Sequence, residues 1–234
     1  ARRGFNVCGF DARGFGRSSA GTPIAADGYV LTGVESPETS ILRGAVADFL
    51  QALRAAVEFL DGACATVNFY GFSFGGALAL MAAALSRDAD FVVLGQPTFG
   101  WNQERHRLAL AGSAQQVRSF VDRHPSRRDE VMTTLDFFDT LYFAPLVHGR
   151  TLVGVGLDDD VVPSRTVLAV TNRLQCPVEV RLLPVSHSSD PRESLWTQFD
   201  TEWLGYVGHG LPADFGAPYR QVRALTPRPV PAPS

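Results

Sequence analysis

The chain has 234 residues, 45% of them hydrophobic and 19% charged, which suits one packed domain and excludes wholesale disorder. A formal charge of −3 excludes the basic footprint of a nucleic-acid binder, and no apolar run is long enough to span a bilayer. The cysteines Cys8, Cys64 and Cys176 are too few and too scattered for a disulfide framework or a zinc site, so a reducing, cytoplasmic setting is expected. All the basic residues are Arg, which reflects coding bias rather than function.

In chain order, residues 4–10 read as a buried strand (Gly4-Phe5-Asn6-Val7-Cys8-Gly9-Phe10), followed by the Gly-rich loop Asp11-Ala12-Arg13-Gly14-Phe15-Gly16. Cys8 and Cys64 are expected in or near the core. Leu42, Val46, Phe49, Leu53, Val57 and Leu60 recur at helical spacing, with Ser36 expected as N-cap, Pro37 at the first helical position and Gly62 as the stop. Ala65–Tyr70 reads as a strand, and Ala77–Ser86, small and apolar all round, as a buried helix. Further strands are expected at Phe91–Leu94, Thr151–Val155 and Val178–Leu183, with helices at Pro163–Leu174 and Glu193–Gly208. Strands alternating with helices make this an α/β chain with a parallel sheet covered on both faces.

Residues 98–147 interrupt that rhythm with helical pattern alone, near Gln103–His124 and Arg127–Tyr142. Such an excursion leaves from the carboxyl edge of the sheet and would hang over a site there, as a lid or pocket wall, or serve as an extra packing layer or oligomer contact. From residue 210 the chain is rich in Pro, which reads as an extended tail over 210–234 behind a domain spanning 1–209.

The sharpest motif is Gly71-Phe72-Ser73-Phe74-Gly75, followed by Gly76, between a strand and a helix. That is the place of a nucleophile elbow: a tight turn projects the Ser73 hydroxyl at the sheet edge, and the Phe74 N–H faces a developing oxyanion. A serine needs a base and the base an orienting acid, in the chain order serine, acid, histidine. Asp158-Asp159-Asp160 and His187 each follow the carboxyl end of a strand, on the same rim as Ser73. His106, His124 and His148 lie in the excursion and His209 past the last helix, so His187 has the better claim. Three adjacent carboxylates cannot all face inward, and the run alone does not say which does.

The stretches GFSFGGALAL, TLDFFDTLYFAPLV, TLVGVGLDDDVVPSRTVLAVTNRL and EVRLLPVSH resemble the acetyl xylan esterase and cephalosporin-C deacetylase family of α/β-hydrolases, over nearly all of residues 4–204. The resemblance implies the α/β-hydrolase fold, no cofactor and no metal, a small-molecule ester substrate, and closed homo-oligomers. It implies Ser73 as nucleophile, Asp159 as acid, His187 as base and the Phe74 N–H in the oxyanion hole. The chain departs from the family's pattern at Phe15 and Phe74, where the family carries Gln, and at Ser188, where it carries Glu. Arg13 is expected to brace loops near the site. Set against the family, the chain lacks the first three strands of the fold, and the full enzyme is expected to carry roughly 80 further residues in front. The function expected is removal of a small, acetyl-like acyl group through an acyl-enzyme. Its rivals are acyl transfer or elimination with the same triad, and a non-catalytic scaffold.

Overall fold

The computed structural model describes residues 5–187, 190, 192, 194–212, 215 and 221–224, the last four as backbone. Residues 5–10 carry no regular secondary structure, so the strand expected there is not formed; Gly4 lies outside the described residues. An extended segment becomes a strand only through ladder hydrogen bonds, and none of the described strands lies beside this one. Val7 is 79% exposed and Cys8 is exposed as well, against the core position expected of it. Phe10 meets Phe49 edge-on with ring centroids 5.2 Å apart.

Helix α1, Ile41–Leu60, is capped by Ser40, whose Oγ accepts the Leu42 N–H at 3.3 Å. Ser36 is not the cap. Ser36 to Ser40 form a turn, closed by the Ser40 N–H on the Ser36 carbonyl at 3.1 Å, and the helix starts behind it. At the other end Asp61 and Gly62 turn left-handed and stop the helix where expected.

Strand β1 (Asn68–Phe72) leads into α2 (Phe74–Ser86) and then β2 (Phe91–Gly95). The excursion follows as α3 (Asn102–Leu108), α4 (Gly112–Arg123), α5 (Arg128–Phe137) and α6 (Thr140–Phe143). Then come β3 (Arg150–Gly156), α7 (Ser164–Thr171), β4 (Val178–Leu183), α8 (Ser194–His209) and β5 (Gln221–Ala224). The five strands form one sheet in the order β1-β2-β3-β4-β5, every pair parallel. The pleat sends Val92, Leu94, Val153 and Val155 to one face, under α2 and α7, and Phe91, Val93 and Leu152 to the other, under Leu195 and Phe199 of α8. A third cluster joins α1 to the excursion through Leu42, Leu78, Met81, Phe120 and Leu135. Among the described residues, no helix is long and apolar enough to cross a membrane.

Three features differ from the sequence reading or lie outside it. The helix expected over Gln103–His124 breaks at 109–111, where the Leu110 N–H reaches the Asp160 carbonyl at 2.7 Å. Strand β4 carries Glu179 and Arg181 fully buried: Arg181 donates to both Glu179 and Glu202, and Tyr206 of α8 completes the cluster. Burial alone would lower the Arg181 pKa, but the Glu202 and Glu179 carboxylates outweigh it and raise it. Finally, residues 210–234 are not simply an extended tail. Phe215 is buried against Phe91 and Tyr206, and 221–224 pair with β4, whose outer edge offers free backbone groups. Residues 213, 214, 216–220 and 225–234 of this segment lie outside the described residues.

Candidate active site

Ser73 sits between β1 and α2 with φ +52° and ψ −113°, a conformation that costs a non-glycine residue about 1–3 kcal/mol. Its surroundings hold it there. Its N–H donates to the Gly95 carbonyl at 2.8 Å, and its carbonyl accepts from Thr98 at 3.2 Å and Ala77 at 3.1 Å. The close approach of strand and helix depends on Gly71 and Gly76 rather than on Gly75. A Cβ on Gly71 would lie 2.0 Å from the Gly75 carbonyl oxygen, and one on Gly76 3.1 Å from Pro97 Cα, whereas a Cβ on Gly75 meets open space. Phe74 opens α2, so its N–H belongs to the first turn, where amides lack intrahelical partners.

The three carboxylates after β3 separate cleanly. Asp158 faces solvent and pairs with Arg192 at 3.0 Å, and Asp160 is exposed. The Asp159 side chain has 0% exposure; its Oδ1 accepts the N–H groups of Val161 and Val162 at 2.9 and 2.8 Å, and its Oδ2 lies 2.7 Å from His187 Nδ1. Engaging Nδ1 in this way leaves Nε2 as the ring nitrogen available to a substrate or a hydroxyl.

His187 follows β4 on a braced turn. Asp190 accepts the Ser186 N–H at 3.0 Å, and Trp196 Nε1 donates to the Ser186 carbonyl at 3.2 Å. The imidazole centroid is 5.3 Å from that of Phe72, the residue directly before Ser73, and Phe72 meets Trp196 edge-on at 5.0 Å. His187 therefore packs on the residue that leads into the elbow. The other histidines do not join it. His106 is buried in the excursion, where burial pushes its pKa down to about 3, and His124 packs on Phe120.

Arg192 donates to both Asp158 and Asp190, tying the acid-bearing turn to the histidine-bearing one. Arg13 makes a two-pronged pair with Asp48 of α1 at 2.7 Å each, and its carbonyl accepts the Tyr29 hydroxyl at 2.9 Å, so its role is bracing. Burial raises the Tyr29 pKa to about 12, which keeps that hydroxyl a donor. Phe15 and Phe74, two of the departures seen in the sequence, are in ring contact at 5.9 Å; Ser188 lies outside the described residues.

Sequence reasoning missed Gln96. It follows the fully buried β2, is itself wholly buried, and adopts φ +45°. Its Oε1 accepts the Gly156 N–H at 2.5 Å and its Nε2 donates to the Val162 carbonyl at 2.7 Å, which clamps both ends of the turn that carries Asp159. The only local signal is a polar residue at the mouth of an apolar strand. Among the described residues, no group of three or more His, Cys, Asp or Glu side chains is disposed to hold a metal ion.

The acetyl xylan esterase from Paenibacillus sp. R4 superposes with a TM-score of 0.70 at 25% identity, and acetyl xylan esterase 1 from Thermoanaerobacterium sp. JW/SL YS485 with 0.69 at 26%. Each is matched over 82% of this chain and 64% of its own, so the chain spans just under two thirds of their length. The acylaminoacyl peptidase of Pyrococcus horikoshii, 14% identical with a TM-score of 0.57 over 74% of this chain and 29% of its own, shares the fold, which is that of the α/β-hydrolases. A profile of the acetyl xylan esterase (AXE1) family matches residues 1–203, and the chain belongs to that family.

Proposed function

We propose that the chain carries the catalytic residues of a serine carboxylic-ester hydrolase that removes a small, acetyl-like acyl group. The observation that carries this reading is the 2.7 Å Asp159–His187 pair, buried on its acid side, with the imidazole packed on Phe72, the residue before the strained Ser73. In this scheme Ser73 Oγ attacks the ester carbonyl while His187 Nε2 takes its proton. Asp159, held by two backbone N–H groups, keeps Nδ1 protonated and stabilises the imidazolium. The Phe74 N–H donates to the oxyanion, His187 returns the proton to the departing alcohol, and water then releases the acyl group by the same route. Family membership and the acetyl xylan esterases of similar fold support the reaction class.

The test is Ser73→Ala with p-nitrophenyl acetate. Loss of at least about a thousandfold in kcat, with an unchanged circular dichroism spectrum, is expected for removal of a nucleophile. Activity within tenfold of the unaltered chain would refute the assignment.

A further inference from the structure

Phe74 is tied to Ser73 by a single peptide unit, and its ring does not stand alone. Phe99, from the segment after β2, lies 5.8 Å away at 85°. Tyr29 lies 5.3 Å away at 70°, and Phe15 5.9 Å away at 45°. Phe15 and Tyr29 also touch, at 4.6 Å. Rings from separate stretches of chain therefore form one continuous row, graded from Phe99 at 2% exposure to Phe15 at 45%. Arg105 covers the inner end, its guanidinium carbon 5.0 Å from the Phe99 centroid. The outer end is open.

The row is pre-formed. Tyr29 is anchored through its hydroxyl to the Arg13 carbonyl, and Arg13 is held in turn by Asp48. Gly14, at φ +84°, lets the loop fold back so that Phe15 reaches Tyr29; a Cβ there would meet Ile24 at 2.6 Å. A flat group laid on this face loses water without ordering new side chains. The one polar group on these rings, the Tyr29 hydroxyl, already has its partner and makes no demand on a ligand.

We infer that the face made by Phe15, Tyr29 and Phe74 receives a flat apolar group of the substrate, so that esters carrying an aromatic ring are preferred over small aliphatic ones. The inference rests on the reading of Ser73 as nucleophile. The ring belongs to the acyl or to the alcohol portion, and the experiment distinguishes the two.

The test compares kcat/KM of the full chain for ethyl acetate, benzyl acetate and ethyl phenylacetate, each normalised to its alkaline hydrolysis rate. One aromatic ester is expected to exceed ethyl acetate by about tenfold, the gain from covering part of a ring. The ester that does so identifies the side. In Phe15→Ala that ratio should fall to about threefold or less, and Phe15→Tyr should restore it. Phe15 is half exposed, so neither change removes core packing, and thermal melts verify that both variants fold. Equal rates for all three esters, or an unchanged ratio in Phe15→Ala, overturn the inference and leave the Ser73 reading standing. If no ester is turned over, the Ser73 reading fails and binding decides. N-benzylacetamide, titrated by calorimetry, should then bind at least about fivefold more weakly to Phe15→Ala, and equal binding overturns the inference.

Discussion

Gln96 and Gly156 are joined through both ends of one amide: Oε1 accepts the Gly156 N–H at 2.5 Å and Nε2 approaches the Gly156 carbonyl at 3.3 Å while donating to Val162 at 2.7 Å. The side chain links the end of β2, which also holds Ser73 through Gly95 and Thr98, to the turn that presents Asp159. Gln96→Leu keeps the bulk and strands two buried backbone groups, at about 1–3 kcal/mol each. The expected outcome is a urea midpoint lowered in proportion and kcat on p-nitrophenyl acetate reduced about tenfold or more, with KM within about threefold. A stability loss with kcat unchanged would show that the clamp does not position the acid.

The elbow glycines offer a paired test. Gly71→Ala places a Cβ 2.0 Å from the Gly75 carbonyl oxygen, so the turn must open; loss of about 3 kcal/mol or more is expected. Gly75→Ala meets open space inside α2, where alanine is the better helix former, and should leave stability unchanged or raised by up to about 1 kcal/mol. Chemical denaturation of both variants checks the contrast.

Arg181 lies between Glu179 and Glu202 with its side chain out of solvent. Arg181→Met leaves these carboxylates without their cation and should cost about 3–5 kcal/mol in urea unfolding. Replacing all three charges together (Glu179→Leu, Arg181→Met, Glu202→Leu) should recover more than half of that loss, because no unpaired buried charge remains.

His106 gives the fold an acid-side limit. Burial holds its pKa at about 3, and Arg105 adds repulsion, while an unfolded chain titrates near ~6.5. Between these values the unfolded state binds a proton that the folded state refuses. The contribution is complete above about pH 6.5 and erodes by up to ~1.4 kcal/mol per pH unit below it. His106→Leu should lower the slope of unfolding free energy between pH 4 and 6 by close to one proton, read from urea titrations at each pH. An unchanged slope would contradict the assignment.

Much of this could be read from the chain. Strand β4 appears with its expected bounds, the uniformly apolar helix after Ser73 is α2, and the residues after β3 and β4 meet as Asp159 and His187. These features follow from short-range pattern and from parallel topology, which sends carboxyl ends to one rim; the choice of Asp159 among the three carboxylates rests on the family resemblance alone. What escaped is decided by contacts that the local pattern does not display. Ser36 and Ser40 are both competent caps, and only the turn between them chooses Ser40. A sheet covered on both faces is expected, but not that Glu179 and Arg181 of β4 lie under one of those faces, where α8 brings Glu202 to pair with Arg181. Gln96 has no local signal beyond its polarity at the mouth of an apolar strand, because its partners are Gly156 and Val162.

Gln96, Phe99 and Trp101 all turn left-handed within six positions, none of them glycine. Each is pinned by a distant anchor: the Gln96 amide on Gly156, the Thr140 N–H on the Phe99 carbonyl, and the Asp139 carboxylate on the Trp101 N–H. A hexapeptide wound this tightly works as a rigid bracket and cannot serve as a flap. The bracket and its anchors therefore stand or fail as one cooperative unit.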